Sequence, residues 1–340
     1  MKKTLLFLTA AVFVFAMLSS CGKKDTPTTP GATNTPNATQ TATQTATQTA
    51  VAGLENISFA SVPGGTFTQQ DPYGGSFSHT ISTFYMGKYE VTYELWWTVR
   101  QWALSNGYTF ANEGKEGNDG TIGAAPTAAK FEPVTRMNWR DVIVWCNAYS
   151  EMMELTPVYC SDSGFTTPIK DSTDGSYGSS IDTTAGSFDN PYVDWSADGY
   201  RLPTEGEWEY AARYINGSSW TPYNYASGDT APYNTSTTIG VYSWYDVNSG
   251  NLTHNVGEKE PNELGIFDMS GNVWEWCWDW YATYPGTSTN YKGPGDGSGR
   301  VIRGGSCFLG VAFYLQTGLR SFDGPYLEGS VIGFRLARTQ

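Results

Sequence analysis

Histidine is almost missing from this chain. His79 and His254 are the only two, too few for the clusters of imidazole ligands on which most histidine-based metal catalysis depends. Basic residues are also scarce, with 20 lysines and arginines against 33 aspartates and glutamates. The resulting net charge of -13 would repel nucleic-acid phosphates, so we expect no nucleic-acid partner.

Cysteine is sparse as well. Beyond Cys21, the chain has Cys146, Cys160, Cys277 and Cys307. Disulfide frameworks and zinc sites are recognised by short, regular cysteine spacings, and these four thiols show none. We therefore predict no zinc knuckle, whereas oxidation of the thiols in an exported protein stays open.

The amino-terminal residues have the pattern of an export signal. Two lysines precede an apolar stretch from Leu5 to Met17, which is shorter than the roughly 20 residues that a bilayer-spanning helix needs. Residues 18–21 read Leu-Ser-Ser-Cys, the pattern of a bacterial lipoprotein cleavage site. We predict a signal peptide at 1–20 and a lipid on Cys21. An ordinary secretory signal followed by a chance cysteine is the alternative.

The segment after this thiol has almost nothing to bury. Residues 21–51 are rich in Thr, Ala, Gln and Pro, and their few methyl groups cannot offset the entropy of ordering the chain. We predict a flexible tether that spans roughly 30 Å as a random coil. No second polar linker interrupts residues 52–340, so we predict that they form one domain.

Local signals within 52–340 predict a mixed α+β domain. Thr92 and Asn138 are placed to cap two helices. Thr204 forms a capping box with Glu207 at a third. Strand patterns elsewhere are short, aromatic and punctuated by glycine, and residues 155–200 have the composition of a long irregular surface loop. We expect two or three helices around short antiparallel strands with much irregular loop.

Five motifs occur along the domain in the order typical of one family. They are Val62–Phe67, Met86–Thr92, Arg201–Glu209, Gly271–Trp276 and Arg303–Ser306. Each is weak alone, but together they resemble the formylglycine-generating-enzyme (sulfatase-modifying factor) family over residues 57–338. This resemblance implies an elaborated C-type lectin fold.

The resemblance also bears on catalysis. Enzymes of this family bind copper and activate oxygen with two cysteines just after the Arg-Gly-Gly-Ser turn, and thiolates supply both ligand and reductant. The matching positions here are Leu309 and Tyr314, with Cys307 offset by two residues. A sister group of iron-dependent enzymes needs three histidines. We therefore expect a non-enzyme without copper or iron; an oxygenase that uses Cys307 alone is the alternative.

A calcium site is the one metal site that the resemblance implies. The family's calcium loop resembles Asp268–Glu275, in which Asp268 and Glu275 would supply carboxylates and Gly271 and Val273 backbone carbonyls. Such an ion would be structural. The alternative is that Asp268 caps a turn and Glu275 pairs with an arginine.

Residues 307–332 resemble the variable region of diversity-generating-retroelement proteins, receptors whose codons are randomised at adenines. The framework positions implied by this resemblance are Ala312, Leu315, Gln316, Thr317, Gly318, Arg320, Pro325, Glu328 and Ile332. The implied variable, ligand-binding positions are Cys307, Phe308, Leu309, Gly310, Val311, Phe313, Tyr314, Leu319, Ser321, Phe322, Asp323, Gly324, Tyr326, Leu327, Gly329, Ser330 and Val331. Randomised AAC codons never encode Gln or Glu, and here these two residues occur only at framework positions.

These patterns predict a surface receptor or adhesin-like lipoprotein rather than an enzyme. Exposed Tyr314, Phe322 and Tyr326 would form an interaction patch, because aromatic rings provide large contact area at low entropic cost; burial in the core is the alternative. We expect a monomer on the outer membrane, facing the exterior and held by the lipid on Cys21 alone, with a protein or cell-surface ligand. A structural envelope lipoprotein without a specific ligand is a third possibility.

Overall fold

The computed structural model describes residues 57–173, 180–308 and 311–340. The predicted signal peptide, Cys21, the tether and residues 52–56 of the predicted domain lie outside the described residues, as do Leu309 and Gly310. In the described ranges, no helix is both long and apolar enough to cross a membrane.

The described chain has the predicted α+β character, with few helices among many short strands. The helices are α1 (Tyr93–Leu104), α2 (Trp139–Met152), α3 (Glu205–Arg213), α4 (Ile239–Tyr242) and α5 (Asp246–Ser249), with a 3-10 turn at Ala312–Leu315. The strands are β1 (Phe59–Val62), β2 (Gly65–Gln70), β3 (Ser76–Ile81), β4 (Phe84–Gly87), β5 (Lys115–Glu116), β6 (Val134–Thr135), β7 (Tyr159–Cys160), β8 (Tyr192–Val193), β9 (Trp274–Trp280), β10 (Ser288–Thr289), β11 (Arg300–Arg303), β12 (Arg320–Asp323), β13 (Ile332–Gly333) and β14 (Ala337–Thr339).

The three longest helices begin at the predicted caps. The Thr92 hydroxyl accepts the backbone N–H of Leu95 at α1. Asn138 forms a reciprocal capping box at α2, and Thr204 forms one with Glu207 at α3. These side chains satisfy backbone donors that have no partner inside the helix, which explains why each helix starts where it does.

A four-stranded sheet in the order β12-β11-β9-β13 includes strands from residues 307–332, the region predicted to bind ligand. β9 lies inside it and is buried at every position, with Trp276 and Cys277 fully inaccessible. β12 is an edge strand, antiparallel to β11 from Arg300–Asp323 to Arg303–Arg320. Residues 320–323 therefore lie at one edge of this sheet.

Aromatic stacking joins α1 and α2 to the sheet. The rings of Trp96 on α1 and Trp145 on α2 stack with centroids 5.8 Å apart, and Phe334 meets the Trp145 ring edge-on at 5.5 Å. All three side chains are fully buried, so they pack the two helices against the residue that follows β13.

The prediction that residues 155–200 form an irregular surface loop is wrong in part. Val158, Tyr159 and Cys160 are buried, and β7 pairs with β8 inside this segment. The Tyr159 hydroxyl accepts the backbone N–H of Leu202 at 2.9 Å. Aromatic residues separated by polar stretches do not reveal such long-range packing from composition alone.

Candidate ligand-binding surface

Two acidic residues of α3 hold β11 and β12 from inside the molecule. Glu205 and Glu209 lie one helical turn apart, and both are buried. Arg320 donates two hydrogen bonds to Glu205, at 2.7 and 2.5 Å, and Arg303 donates one to Glu209 at 2.5 Å. Bidentate pairing to a carboxylate fixes an arginine in orientation as well as position. Arg303 at the end of β11 and Arg320 at the start of β12 are thus fixed to α3.

Arg320 is further enclosed by aromatic rings. Its guanidinium carbon lies 4.5 Å from the ring centroid of Tyr281 and 4.2 Å from that of Tyr284. It also donates to the carbonyl oxygen of Ala282 at 2.7 Å. No other residue type supplies this charge, planarity and reach together, which gives a physical reason for a fixed framework position.

The stretch from Leu315 to Gly318 is held by backbone contacts. Thr317 donates from its N–H to the carbonyl oxygen of Tyr225, and Gly318 to that of Tyr223, each at 2.8 Å. A Cβ on Gly318 would lie 2.5 Å from the carbonyl oxygen of Gln70. Glycine is therefore required here by close approach of another backbone.

Most other framework residues are also internal. Pro325 and Ile332 are buried, and Ala312 is half-buried. Glu328 is the exception among the framework residues: it is exposed and pairs with Arg136 at 3.3 Å. Burial or internal bonding is therefore shared by most of the positions that the resemblance assigns to the framework.

The described variable positions are mostly accessible. Exposed fractions reach 59% for Phe308, 54% for Val311, 49% for Phe322 and 42% for Leu327. The half-buried positions are Phe313, Tyr314, Ser321, Asp323, Tyr326, Gly329, Ser330 and Val331. The three aromatics on which the interaction patch depends, Tyr314, Phe322 and Tyr326, all reach the surface.

Three predicted ligand-binding residues are corrected by the structure. Cys307 and Leu319 are buried, at 0% and 3% exposure, and Gly324 is buried beneath the ring of Tyr326. Leu319 precedes β12 and points into the main hydrophobic core. None of the three can contact a ligand in this conformation.

Aromatic residues outside the variable region extend its surface. Tyr73, in the turn between β2 and β3, is 73% exposed and meets Phe313 edge-on, with centroids 6.4 Å apart. Tyr233 also meets Phe313 edge-on at 5.5 Å. Phe322 packs on Tyr281 at 4.6 Å. We call the set of Tyr73, Tyr233, Tyr281, Phe313, Tyr314 and Phe322 the aromatic face.

The aromatic face has two halves: Tyr73, Tyr233, Phe313 and Tyr314 form one, and Tyr281 and Phe322 form the other. Partial burial raises the pKa of Tyr73, and so do the nearby phenols of Tyr314 and Tyr281, one from each half. Tyr73, Tyr233 and Tyr281 were not predicted from the sequence. A tyrosine flanked by proline and glycine in the turn at 71–75 was the available signal for Tyr73, since an aromatic ring in such a turn has little core to enter.

Of the two carboxylates implied as calcium ligands, one has surroundings that suit a ligand and the other does not. Glu275 does not fit: both of its carboxylate oxygens accept hydrogen bonds from Arg335 at 2.6 Å, and one also accepts from the Trp208 indole at 2.7 Å. This is the arginine pairing that the sequence left open. Asp268 fits better, because its Oδ1 is buried without a hydrogen-bond partner. Burial raises the pKa of Asp268 to about 6.

Cys307, the thiol closest in sequence to the family's catalytic cysteine positions, is poorly suited to copper binding and oxygen activation. Cys307 is fully buried, and burial raises its pKa to about 12, with the charges of Glu90 and Glu132 adding to the effect. Reactive cysteines instead have lowered pKa values at accessible sites. The four described cysteines are all buried and unpaired. Tyr314 stands at one of the two expected cysteine positions.

Residues 43–340 match the family model of the sulfatase-modifying factor enzyme 1-like domain, and the chain belongs to this family. The chain is 33% identical over 277 residues to the chaperone protein LppX of Paenibacillus barcinonensis, covering 71% of this chain and 81% of that protein. It is 37% identical over 157 residues to the formylglycine-generating enzyme of Streptomyces coelicolor, covering 43% of this chain and 48% of the enzyme.

Among solved structures, the fold is similar to that of Treponema denticola variable protein 1. The TM-score is 0.64 at 33% sequence identity, covering 84% of this chain and 95% of that one. This similarity and the family match establish the predicted fold of the formylglycine-generating-enzyme type and the resemblance to variable proteins.

Proposed function

We propose that this chain is a non-catalytic binding protein whose aromatic face receives a protein or other cell-surface ligand. The observation that carries the proposal is the division of residues 307–332. Framework side chains such as Arg320 are bonded inside, whereas Phe308, Phe322 and most other described variable residues reach solvent. A rigid base with accessible aromatic rings is the arrangement that recurs at binding hot spots.

The same division supports diversification of this segment by a retroelement. Substitution at exposed positions changes stability little, whereas substitution of a buried arginine breaks the base of the segment. A reverse-transcriptase gene beside a near-copy of the codons for 307–332, differing mainly at adenines, would support this proposal. A neighbourhood without such a copy would contradict it.

We place the protein on the outer membrane, exposed to the exterior and anchored through Cys21. The support is the Leu-Ser-Ser-Cys sequence at 18–21 and the polar tether that follows it. Metabolic labelling with a clickable palmitate should tag the wild type but not the Cys21→Ser variant. Protease added to intact cells should remove the domain, and protection of the domain would contradict exterior placement.

The competing function is oxidation of a substrate cysteine, as the names of several relatives would imply. The burial and raised pKa of Cys307, together with Tyr314 at an expected cysteine position, favour binding over catalysis. Copper titration and oxygen uptake with a cysteine-containing peptide would separate the two functions. Turnover above the no-enzyme rate would overturn the proposal that the protein is not an enzyme.

Binding itself is tested with the full chain in lipid nanodiscs, fluorescently labelled and added to intact bacterial or animal cells. The Tyr73→Ser/Phe322→Ser variant should lose most cell binding, because it removes one exposed ring from each half of the aromatic face. Ile122→Ser is the matched control, since Ile122 is 53% exposed but lies outside this face. Equal loss in both variants would argue against the aromatic face as the binding site.

A further inference from the structure

A second concave site lies apart from the aromatic face. An open pocket with a cavity volume of about 100 Å³ is bordered by the end of β3, the start of β4, the start of α3 and the segment after β10. Its side chains include Trp195, Arg201, Glu207, Asn290 and Lys292. None of its lining residues belongs to 307–332, so its chemistry is independent of the variable region.

Charge in this pocket is unbalanced. Arg201 donates two hydrogen bonds to Glu207, each 2.7 Å long, so this pair is neutral. Lys292 forms no hydrogen bond or ion pair with the rest of the described chain; its ammonium lies 3.8 Å from the centroid of the Trp195 ring. The pocket therefore carries one uncompensated positive charge in a chain whose net charge is -13.

The other walls restrict what can enter. The half-buried Trp195 ring supplies apolar surface, and the Ser82 hydroxyl accepts from the Asn290 amide at 2.9 Å, which leaves its own proton free to donate. Because the Arg201–Glu207 pair is neutral, the single positive charge of Lys292 balances only one negative charge on a ligand. A single negative charge on a partly apolar body matches these walls.

We propose that this pocket binds a small organic monocarboxylate, whose carboxylate pairs with Lys292 and whose body rests against Trp195. Inorganic phosphate, largely dianionic above neutral pH, fits less well because Lys292 balances only one of its two charges. Neutral sugars lack the group that Lys292 needs as a partner.

The protonation behaviour of Lys292 provides the readout. Burial and the nearby Arg201 guanidinium lower the pKa of Lys292 to about 8. A substantial fraction of this amine is therefore neutral and nucleophilic at pH 8, unlike ordinary lysines. A bound carboxylate raises the pKa of Lys292 and blocks access, so it should protect this amine from acylation.

The experiment uses the full chain in detergent, treated with an amine-acylating reagent at pH 8 and read by peptide mass spectrometry. Benzoate and glucuronate should slow acylation of Lys292 by about tenfold at saturation, while glucose and inorganic phosphate at equal ionic strength should not. Equal protection by phosphate would overturn the monocarboxylate assignment. No protection by any carboxylate would overturn the site. Because this assay uses only the wild type, its result does not depend on whether a variant folds.

Calorimetric titration with benzoate supplies the second arm. Lys292→Gln should weaken binding by about tenfold or more, the usual effect of losing a charged hydrogen-bond partner. Lys259→Gln is the matched control, because the Lys259 ammonium also lies over a tryptophan, 3.6 Å from the Trp244 centroid, but donates to the Gly240 carbonyl oxygen. Equal weakening in both variants would mean that benzoate responds only to net charge, which contradicts the proposal.

Discussion

Removing the Arg320 guanidinium should destabilise the fold far more than any change at the exposed positions beside it. In Arg320→Met, Glu205 would stay buried with only Arg303 near it, at 3.6 Å. Breaking a buried pair by removing one partner costs about 3–5 kcal/mol. Lost packing against Tyr281 and Tyr284 would add about 0.5–2 kcal/mol. We expect a loss of about 4 kcal/mol and a fall in Tm of roughly 10 °C.

Calorimetry of the full chain measures this effect, and two variants in the same segment calibrate it. Glu328→Gln removes an ion pair with Arg136 whose two side chains are about one-third exposed, so it should cost less than about 1 kcal/mol. Phe322→Ser should be similarly mild because half of its ring already faces solvent. Adding Glu205→Gln to Arg320→Met should restore part of the loss, since a neutral amide needs no counter-charge. If Arg320→Met cost under about 1 kcal/mol, or Phe322→Ser cost as much, the distinction between framework and surface would be refuted.

Three further predictions concern other parts of the molecule. Gly318→Ala should lower stability by about 1–3 kcal/mol because its Cβ would clash with the Gln70 carbonyl oxygen, while Gly286→Ala, with open space around it, should not; equal urea midpoints would refute the close approach. His79 accepts the Tyr291 N–H through Nε2, and burial lowers its pKa to about 4, so the unfolded chain takes up the proton first. Stability that is present above pH 6.5 should therefore be lost as pH falls towards 4, and His79→Gln should flatten that part of the urea-midpoint profile; an unchanged profile would contradict this. If calcium binds through Asp268, as the family resemblance implies, it should raise Tm relative to EGTA in the wild type but not in Asp268→Ala, and a wild type that does not respond would contradict this site.

Local chemistry made the helices predictable, and the family resemblance supplied the framework positions. Caps such as Thr92 and Asn138 act within four residues, so a sequence displays both partners at once. Arg320 and Gly318 were assigned from the family resemblance, and the structure supplies their physical reasons. Features that depend on a few neighbouring residues, or on a known family pattern, could therefore be predicted from the sequence.

Exposure within the variable region was harder to predict. Leu319 and Phe322 are both apolar and lie three residues apart, yet one enters the core and the other packs on Tyr281 at the surface. β12 is at the edge of its sheet, so burial of its side chains depends on which other segments pack beside it. Those segments are distant in sequence, and pairing between distant strands leaves no local signal. For the same reason the tyrosines that complete the aromatic face, which come from separate segments, could not be recognised in advance.

The central claim is that a fixed base presents interchangeable surface residues for binding. Its most direct test is a displayed library randomised at Phe308, Val311, Phe313, Tyr314 and Phe322, selected against one unrelated folded protein. The account predicts binders with Kd of about 1 µM or tighter whose Tm stays within a few degrees of the parent. A library that unfolds, or that yields no binder while remaining folded, would contradict it.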